Sequence, residues 1–279
     1  MVQNWREQHL VVADRKPAPA GYVHPSEVMV KNDVVKIFIG ASEDMDEAAL
    51  KVIKYSLMKN TQATLDITVL KPSMFEGWNT DAWGTPFSCF RYAIPSMCEG
   101  KGRAIYMDVD MINLRDIHDL WTEHMYGKPF AMVWDAEQDN GEGNPKGWWC
   151  DSVWLIDCEK AIDWFDLNEI KNFPTEKGSY KWTFMEKLGS PTREESDKWV
   201  HELDCRWNSF DGANTSTTPH GEGYFGKYLL ELDECWQIHL TALSYQPWHP
   251  RYLVAAKATH WRPEIAALWW ELLEEVNQL

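Results

Sequence analysis

The sequence predicts an α/β fold in which a mostly parallel central sheet is flanked by helices. Short apolar runs typical of buried strands alternate with segments of helical periodicity up to about residue 160. Two of these runs end in acidic or small residues, a pattern typical of strands whose carboxyl ends face a ligand-binding edge. The chain also closes with a long amphipathic segment, which predicts a C-terminal helix.

The strand predictions rest on short apolar runs that polar or turn-forming residues bound on both sides. In chain order these runs are Val34–Asp44, Leu65–Lys71, Arg103–Met111, Phe130–Glu137, Asp151–Cys158 and, late in the chain, Cys235–Leu243. The last run carries His239. Helices between the early strands favour parallel pairing, because parallel neighbours need a crossover connection.

The helix predictions rest on apolar spacing and on end signals. The predicted helices are Asp46–Asn60, Phe87–Gly100, Lys160–Leu167, Tyr180–Gly189 and Arg262–Leu279. One face of the first carries Ala49, Val52, Ile53, Ser56 and Leu57. Pro95 lies within the second helix, and Pro263 falls in the first turn of the last, where a missing N–H is tolerated. The predicted organisation is an N-terminal extension (1–32), one domain (33–250) and a C-terminal helical segment (251–279).

Charge and composition exclude several classes of protein. The 27 basic and 43 acidic residues give a net charge of −16, which argues against nucleic-acid and membrane partners. It allows a small anion held through a metal ion. No apolar run is long enough to predict a transmembrane helix, and the first residues do not resemble a signal peptide. The six cysteines lack a C-x-x-C pair, so we expect reduced thiols and a cytoplasmic protein.

Two carboxylates end the predicted third strand. Successive side chains on a strand alternate faces, so we expect Asp108 and Asp110 to point to the same face, with Val109 on the opposite one. Buried like charges repel each other unless a cation lies between them, and hard oxygen ligands suit Mg²⁺ or Mn²⁺. A pair of surface aspartates that opens a loop is the alternative. The neighbouring sequence favours the metal site.

The region around this pair resembles family 8 glycosyltransferases, the group of glycogenin and the bacterial lipopolysaccharide galactosyltransferases. The segment FSCFRYAIPSMCEGKGRAIYMDVDMINLRDIHDLW is similar to the family's Arg-bearing helix, its strand ending in Asp-x-Asp and its following L…LW. KIFIGASEDMDEAALKVIKYSLMKN, CDSVWLIDCEKA, LDCRWNSF and IHLTALSYQPWHP resemble further family segments in the same order. The resemblance covers about residues 34 to 250.

The resemblance implies a GT-A fold, with a Rossmann-like nucleotide half and a fused acceptor-binding half. The implied reaction moves a hexose from a nucleotide sugar, usually a UDP-sugar, to a hydroxyl of a carbohydrate or other acceptor, with retention at the anomeric carbon. It also implies Mn²⁺ (or Mg²⁺) held by Asp108, Asp110 and His239, and it is compatible with a homodimer. The metal stabilises negative charge on the leaving diphosphate.

The resemblance also implies the donor-binding residues. Arg91 matches the family's donor-contacting arginine, and Val109 lies between the two metal-binding aspartates. The turn after the first strand, where the family holds uracil and ribose, corresponds to Ala41, Glu43 and Asp44. The family's phosphate-contacting lysine is replaced here by Gln246. Other sources of that positive charge are Lys227, Arg251 and Lys257.

The reacting centre departs from the family pattern. The family's Asn-Ser-Gly is Asp151–Ser152 without the glycine, and no Asp-Gln pair precedes the Trp-Asn segment, where Asp204 is the nearest acid. Retention through a covalent glycosyl–enzyme needs a carboxylate near the anomeric carbon, for which Asp135, Asp151 and Asp204 are the candidates. We predict front-face attack instead, with the departing phosphate oxygen taking the acceptor proton.

Two other functions are compatible with the residues. A sugar-nucleotide-forming nucleotidyltransferase would favour a basic, Gly-rich loop after the first strand, whereas GASEDMDEA is acidic. A non-catalytic carbohydrate-binding protein would explain the departures at Gln246 and Asp151. Among the 17 tryptophans, Trp148 and Trp149 are the candidates for covering the apolar face of a sugar.

Overall fold

The computed structural model describes residues 34–43, 45–81, 83–136, 147–190, 192–211, 230–241, 246–248, 260 and 262–279, without the side chains of residues 135, 136 and 147. The predicted N-terminal extension lies outside the described residues. The predicted domain boundaries near residues 32 and 250 also fall outside them, so the division of the chain stays a prediction.

A six-stranded sheet forms the centre of the molecule, in the order β2-β1-β3-β6-β5-β7, and a three-stranded sheet lies beside it in the order β4-β9-β8. The strands are β1 (Val34–Gly40), β2 (Thr64–Leu70), β3 (Arg103–Asp108), β4 (Met111–Asn113), β5 (Phe130–Ala136), β6 (Gly147–Asp157), β7 (Val200–Glu202), β8 (Ser209–Phe210) and β9 (Gln237–His239).

The central sheet is mixed and mostly parallel. β1 pairs in parallel with β2 and β3, and β5 pairs in parallel with β7. β6 runs antiparallel to both of its neighbours, β3 and β5. The predicted α/β class with a mostly parallel sheet flanked by helices is therefore confirmed, with one reversed strand at its centre.

The helices follow most of the predicted segments. They are α1 (Glu47–Lys59), α2 (Ile94–Met97), α3 (Ile117–Trp121), α4 (Cys158–Ala161), α5 (Leu167–Lys171), α6 (Tyr180–Leu188), α7 (Arg193–Ser196) and α8 (Pro263–Val276). The buried face of α1 consists of the five predicted residues, Ala49, Val52, Ile53, Ser56 and Leu57.

The segment that precedes β3 differs from the prediction. Instead of one helix, a 3₁₀ turn over Ser88–Ala93 carries Arg91, and the short helix α2 follows with Pro95 near its start. Pro95 is compatible with the first turn of a helix but not with its interior, so a new helix begins there. The chain then leaves the helix through Glu99 and Gly100, both with positive φ.

The strand that carries the two aspartates also ends earlier than predicted. β3 stops at Asp108, and the chain crosses to the second sheet, where Met111 pairs with His239. The backbone N–H of Val109 still donates to Gly40 of β1 at 3.0 Å, whereas the carbonyl of Asp110 accepts from Leu240 beyond β9 at 2.8 Å. Asp108 therefore ends the central sheet and Asp110 lies between the two sheets, so strand alternation does not relate their side chains.

An aromatic cluster attaches α6 to the central sheet. The ring centroid of Trp154 on β6 lies 5.5 Å from that of Tyr92, 5.7 Å from that of Phe130 and 5.3 Å from that of Phe184 on α6. All four side chains are buried. Burial of such large rings is worth about 1.5–3 kcal/mol each, so this cluster fixes the position of α6 against β6.

The C-terminal helix packs against the first helix of the domain. Lys59 at the end of α1 forms an ion pair of 2.6 Å with Glu275 of α8, and the buried ring of Trp269 stacks on Trp248 at 5.4 Å. This ion pair is exposed to solvent and therefore contributes little, so the apolar face of α8 provides most of the attachment.

Two general predictions can be compared with the structure directly. None of the six cysteines forms a disulfide in the structure. None of the helices in the described part of the chain combines the length and the apolar composition needed to cross a bilayer.

Candidate functional site

Polar residues collect where β1 and β3 end and β6 begins. Gly40 is the last residue of β1 and pairs with Asp108, the last residue of β3. A Cβ on Gly40 would collide with the Tyr106 hydroxyl and would lie 2.7 Å from the Phe87 ring. A residue without a side chain is therefore required for β1 to approach this end of β3 so closely.

The three predicted metal ligands lie together at this edge. One potential ligand atom from each of Asp108, Asp110 and His239 lies within 4.8 Å of the other two, and all three residues are buried. The Nε2 atom of His239 is 3.4 Å from Oδ1 of Asp110. That oxygen is buried and has no hydrogen-bond partner. An unpartnered buried carboxylate oxygen is costly, which is the situation that a bound cation relieves.

His239 presents Nε2 to the carboxylates because its other nitrogen is engaged. Nδ1 lies 3.0 Å from the side-chain oxygen of Asn208, so Nδ1 carries the proton and the Nε2 lone pair is available to a metal. Burial lowers the pKa of His239, but Asp110 and then Asp108 outweigh it, so the pKa is raised above 6.5. Without a metal, the imidazole therefore tends to hold a proton between the carboxylates.

Two side chains donate hydrogen bonds to the Asp108 carboxylate. The Tyr106 hydroxyl, two residues earlier on the same face of β3, donates to Oδ1. The Arg91 guanidinium donates to the same oxygen at 3.0 Å and lies over the Tyr106 ring, 4.6 Å from its centroid. Burial raises the pKa of Asp108, Arg91 opposes this, and the like charge of Asp110 adds to the net upward shift. A divalent cation would reverse this shift.

Gln246 contacts a predicted metal ligand directly. Its side-chain N–H₂ donates to Oδ2 of Asp110 at 2.9 Å and to the carbonyl of Leu240 at 2.9 Å. A neutral amide thus orients Asp110 at the position where the resemblance implies a lysine. Lys227, Arg251 and Lys257 lie outside the described residues.

Asp151 occupies an irregularity in β6. Residues 151–154 of β6 face the single residue Met132 of β5, because the pairing shifts between Ala131 and Val133. Such bulges redirect side chains and are frequent beside active sites. Asp151 Oδ1 lies 3.4 Å from Arg91 and 3.1 Å from Lys181 of α6.

Two cations determine the protonation state of Asp151. Burial would raise the pKa of its carboxyl group, but Lys181 and then Arg91 outweigh burial, so its pKa is lowered. Arg91 also donates to the backbone carbonyl of Asp151. Arg91 is 3% exposed, so it is a buried cation and not a surface residue.

The other candidate carboxylates are placed differently. Asp204 forms a two-pronged ion pair with Arg206, at 2.9 Å through Oδ1 and 2.6 Å through Oδ2, at the start of a 3₁₀ turn. Asp135 lies in β5 opposite Trp148, and its side chain is not described.

The turn after β1 contains two of the predicted nucleotide-contacting residues. Ala41 is buried, and its N–H donates to Leu70 at 3.0 Å. The Glu43 carboxylate accepts from the backbone N–H of Ser73, and hydrogen bonding to the Ser73 side chain and then to this backbone N–H lowers the pKa of Glu43. Asp44 lies outside the described residues. Val109 is 2% exposed and connects the two sheets.

The two candidate sugar-covering tryptophans have different environments. Trp149 has no exposed surface and meets Trp134 edge-on at 4.9 Å, so it is a core residue and cannot cover a sugar. Trp148 is half-buried and meets Trp182 of α6 at 6.4 Å.

Three residues that complete the site are absent from the sequence-based set. Tyr106 could have been found, since it lies two residues before Asp108 on the same strand face. Asn208 lies in the segment LDCRWNSF, but the sequence motif alone did not indicate a role for this residue. Lys181 has no sequence signal, because only the packing of α6 brings it to Asp151.

Comparison with known proteins identifies the fold. Neither a protein-family model nor a curated protein sequence matches this chain. Among solved structures, the bifunctional glycosyltransferase WbbM in its apo form is similar at 13% identity and a TM-score of 0.55, over 88% of this chain and 51% of that one. This chain thus spans about half of that protein's length.

Two further glycosyltransferases give the same result. The galactosyltransferase LgtC in complex with donor and acceptor sugar analogues is 14% identical, with a TM-score of 0.53 over 86% of this chain and 96% of that chain. The glycosyltransferase GlyE of Streptococcus pneumoniae TIGR4 is 15% identical, with a TM-score of 0.54 over 88% of this chain and 64% of that chain. The protein therefore has the GT-A glycosyltransferase fold and resembles family 8 enzymes in structure as well as in sequence motifs.

Proposed function

We propose that the protein is a metal-dependent glycosyltransferase that moves a hexose from a nucleotide sugar, most simply a UDP-sugar, to an acceptor hydroxyl with retention. The observation that carries the proposal is the buried group of Asp108, Asp110 and His239, in which Asp110 Oδ1 has no hydrogen-bond partner. The fold and the similar glycosyltransferases support it, since both agree with the motif order in this sequence.

The residues fit a divalent cation. Two carboxylates and one imidazole suit Mn²⁺, whereas Mg²⁺ favours sites made of oxygen ligands. Such an ion, when bound, neutralises the charge that develops on a departing diphosphate. The chain's own contribution is to orient the ligands: Asn208 holds His239, Gln246 holds Asp110, and Tyr106 with Arg91 holds Asp108.

The carboxylates around the site support front-face attack. A covalent glycosyl–enzyme would need a carboxylate with a free, nucleophilic oxygen near the anomeric carbon. Asp151 faces two cations, and its lowered pKa makes it a weak nucleophile. Both oxygens of Asp204 are engaged by Arg206. In the proposed route the acceptor hydroxyl attacks from the side of the leaving group, and the phosphate oxygen takes its proton.

The donor-contacting roles of Ala41, Glu43, Asp44, Arg91 and Val109 remain proposals. So do the hydroxyl acceptor, the homodimer and the cytoplasmic location. Two arrangements support a donor at this edge: Arg91 contacts the predicted metal ligand Asp108, and the turn with Ala41 and Glu43 follows the strand that pairs with Asp108. The charge of the whole chain continues to disfavour nucleic acid.

Calorimetric titration of UDP into the protein, with and without Mn²⁺, tests the proposal. We expect UDP binding that requires the ion and is lost in Asp110→Ala. The matched control is Asp163→Ala, which removes an exposed carboxylate in a 3₁₀ turn away from the site. Hydrolysis of UDP-glucose, UDP-galactose and UDP-N-acetylglucosamine then identifies the donor.

Each of the other results has a distinct meaning. UDP binding that is indifferent to Mn²⁺ and to Asp110 would contradict the metal-dependent mechanism. Metal-dependent UDP binding without turnover of any UDP-sugar would favour a non-catalytic carbohydrate-binding protein. Formation of a UDP-sugar from UTP and a sugar phosphate would favour the nucleotidyltransferase.

A further inference from the structure

Two cysteines meet at the edge of the central sheet opposite the predicted metal ligands. Cys98 follows α2 at its carboxyl end, and Cys158 is the first residue of α4, directly after β6. Because β6 runs antiparallel to β3, its last residue, Asp157, pairs with Arg103 at the start of β3. Asp108 ends the same strand, so about 16 Å of strand separate this edge from the metal site.

The backbone holds both cysteines in fixed positions. The N–H of Cys158 donates to the carbonyl of Gly102 at 2.9 Å, which joins the start of α4 to the loop after α2. Within that loop Glu99, Gly100 and Gly102 all have positive φ. A residue with a side chain, such as Glu99, adopts this conformation where the surrounding structure determines it. The loop therefore has little freedom to move Cys98 away from α4.

The two thiols contact each other in this arrangement. Cys158 donates a hydrogen bond to the sulfur of Cys98. Cys158 has no exposed surface and Cys98 is 6% exposed, so solvent reaches the pair through Cys98. A disulfide places its sulfur atoms about 2.05 Å apart, a separation that two thiols already in contact reach through small side-chain rotations.

The surroundings make the two sulfur atoms unequal. The hydrogen bond from Cys158 lowers the pKa of Cys98 to about 7, although burial opposes this shift. Lys36 on β1 also lowers this pKa, and Asp66, its neighbour on β2, raises it. The same hydrogen bond and burial raise the pKa of Cys158. Cys98 therefore provides a reactive thiolate, and Cys158 remains a thiol beside it.

We infer that Cys98 and Cys158 are a redox-active pair, which hydrogen peroxide converts into a disulfide that thiol reductants reverse. Peroxide is small enough to reach a sulfur that is 6% exposed. A reversible pair is compatible with the reduced thiols expected from the sequence, since disulfides in reducing compartments are usually transient and redox-sensing. The pair is independent of the proposed function.

The reaction has two steps. The Cys98 thiolate attacks peroxide, the O–O bond breaks, and the products are a sulfenic acid on Cys98 and hydroxide. The sulfur of Cys158 then attacks the sulfur of Cys98, the S–O bond breaks, and the hydroxyl group leaves as water with the Cys158 proton. In total the two thiols lose two electrons and two protons, and one peroxide becomes two molecules of water.

The experiment treats the full-length protein with hydrogen peroxide, blocks the remaining thiols with N-ethylmaleimide in urea and identifies the peptides by mass spectrometry. We expect a linked peptide that contains Cys98 and Cys158, which dithiothreitol converts back into two thiols. Cys205 is the internal control, because it is more exposed but burial raises its pKa to about 11. Cys98 should react at least about tenfold faster than Cys205.

Serine variants test the two roles. Cys158→Ser removes the second thiol, so sulfenic acid should accumulate on Cys98 and be trapped by dimedone. Cys98→Ser should abolish both the linked peptide and the trapping, whereas the matched control Cys205→Ser should form the disulfide as wild type does. Peroxide should also raise the melting temperature of wild type but not that of Cys158→Ser, because a disulfide restricts the unfolded chain.

Two results with wild-type protein would overturn the inference. The first is full alkylation of Cys98 and Cys158 after a peroxide treatment that oxidises Cys205. The second is sulfinic acid on Cys98 without a linked peptide, which would show that Cys158 does not attack the oxidised sulfur. Neither result depends on the folding of a variant. Mn²⁺-dependent UDP binding is a separate measurement, so failure of the proposed function is distinguishable from failure of the redox pair.

Discussion

The side-chain amide of Gln246 donates a hydrogen bond of 2.9 Å to Oδ2 of Asp110, and thereby orients a carboxylate whose other oxygen faces His239 without a hydrogen bond. We predict that Gln246→Ala lowers Mn²⁺ affinity about tenfold to a hundredfold, because residues that orient metal ligands have effects of this size. Calorimetric titration with Mn²⁺ alone measures this affinity. Gln278→Ala, at the exposed C-terminus, is the control, and equal affinities in the two variants would contradict the prediction.

A second prediction concerns the close approach of β1 to β3. Gly40→Ala forces its new methyl group against the Tyr106 hydroxyl and the Phe87 ring, and Tyr106 holds Asp108. We expect a loss of roughly 1–3 kcal/mol in the free energy of unfolding, as for an overpacked core, together with weaker Mn²⁺ binding. Denaturant unfolding and calorimetry measure the two effects. Gly84→Ala, where a Cβ meets no atom within 4 Å, should change neither.

A third prediction concerns pH. The pKa values of His239 and Asp108 are both raised in the metal-free protein, so each group favours its protonated form in the fold. A group with a raised pKa stabilises the fold below its unfolded pKa, and this contribution is lost as the pH rises through the folded pKa. Mn²⁺ must displace these protons, so its affinity should rise with pH, by about tenfold per unit while one proton is released.

Titrations in buffers of different ionisation enthalpy measure that proton release directly. Phosphate buffer binds divalent ions, so organic buffers between about pH 5.5 and 8 are needed to span the ordinary histidine range. Affinity that does not change with pH, or binding without proton release, would contradict the assignment of His239 as a ligand. His118→Asn is a control, since His118 lies on α3 and contacts none of the three predicted ligands in the described structure.

A fourth prediction follows from the two sheets that share the metal site. Asp108 ends the central sheet, while His239 belongs to the second sheet, so a bound ion connects the two. Mn²⁺ at about one hundred times its Kd should stabilise the fold by about 2.7 kcal/mol, measured as a higher melting temperature. Asp110→Ala should show no such increase at the same Mn²⁺ concentration. An equal increase in that variant would indicate binding elsewhere.

Local patterns predicted much of the fold. The buried face of α1, the strands β1, β2, β5 and β6 and the closing helix follow from periodicities of two and 3.6 residues, which any packed strand or helix imposes, whereas the short strands β7 and β8 were not predicted. The end of β3 was missed because the apolar run continues through Val109 to Met111, although Met111 begins a strand of a different sheet. Composition does not indicate where a continuous apolar segment changes its pairing partner.

The candidate site was predictable to the extent that its residues lie in motifs. Asp108, Asp110 and His239 were chosen from the sequence, and the structure brings them together. The contact of Lys181 with Asp151 depends instead on the packing of Phe184 against Trp154, a relationship between distant segments. The direction of Gln246 toward Asp110, instead of toward a phosphate, likewise depends on the fold.

The pairing of β4 with β9 also has a consequence for the order in which the protein is made. During synthesis the ribosome releases Asp108 and Asp110 long before His239, and the strand that carries His239 cannot pair until most of the chain has emerged. Until then, the nascent chain contains the two carboxylates of the predicted metal site but not its imidazole. An ion bound as proposed would therefore meet the complete set of three ligands only after β9 has emerged and the second sheet has closed.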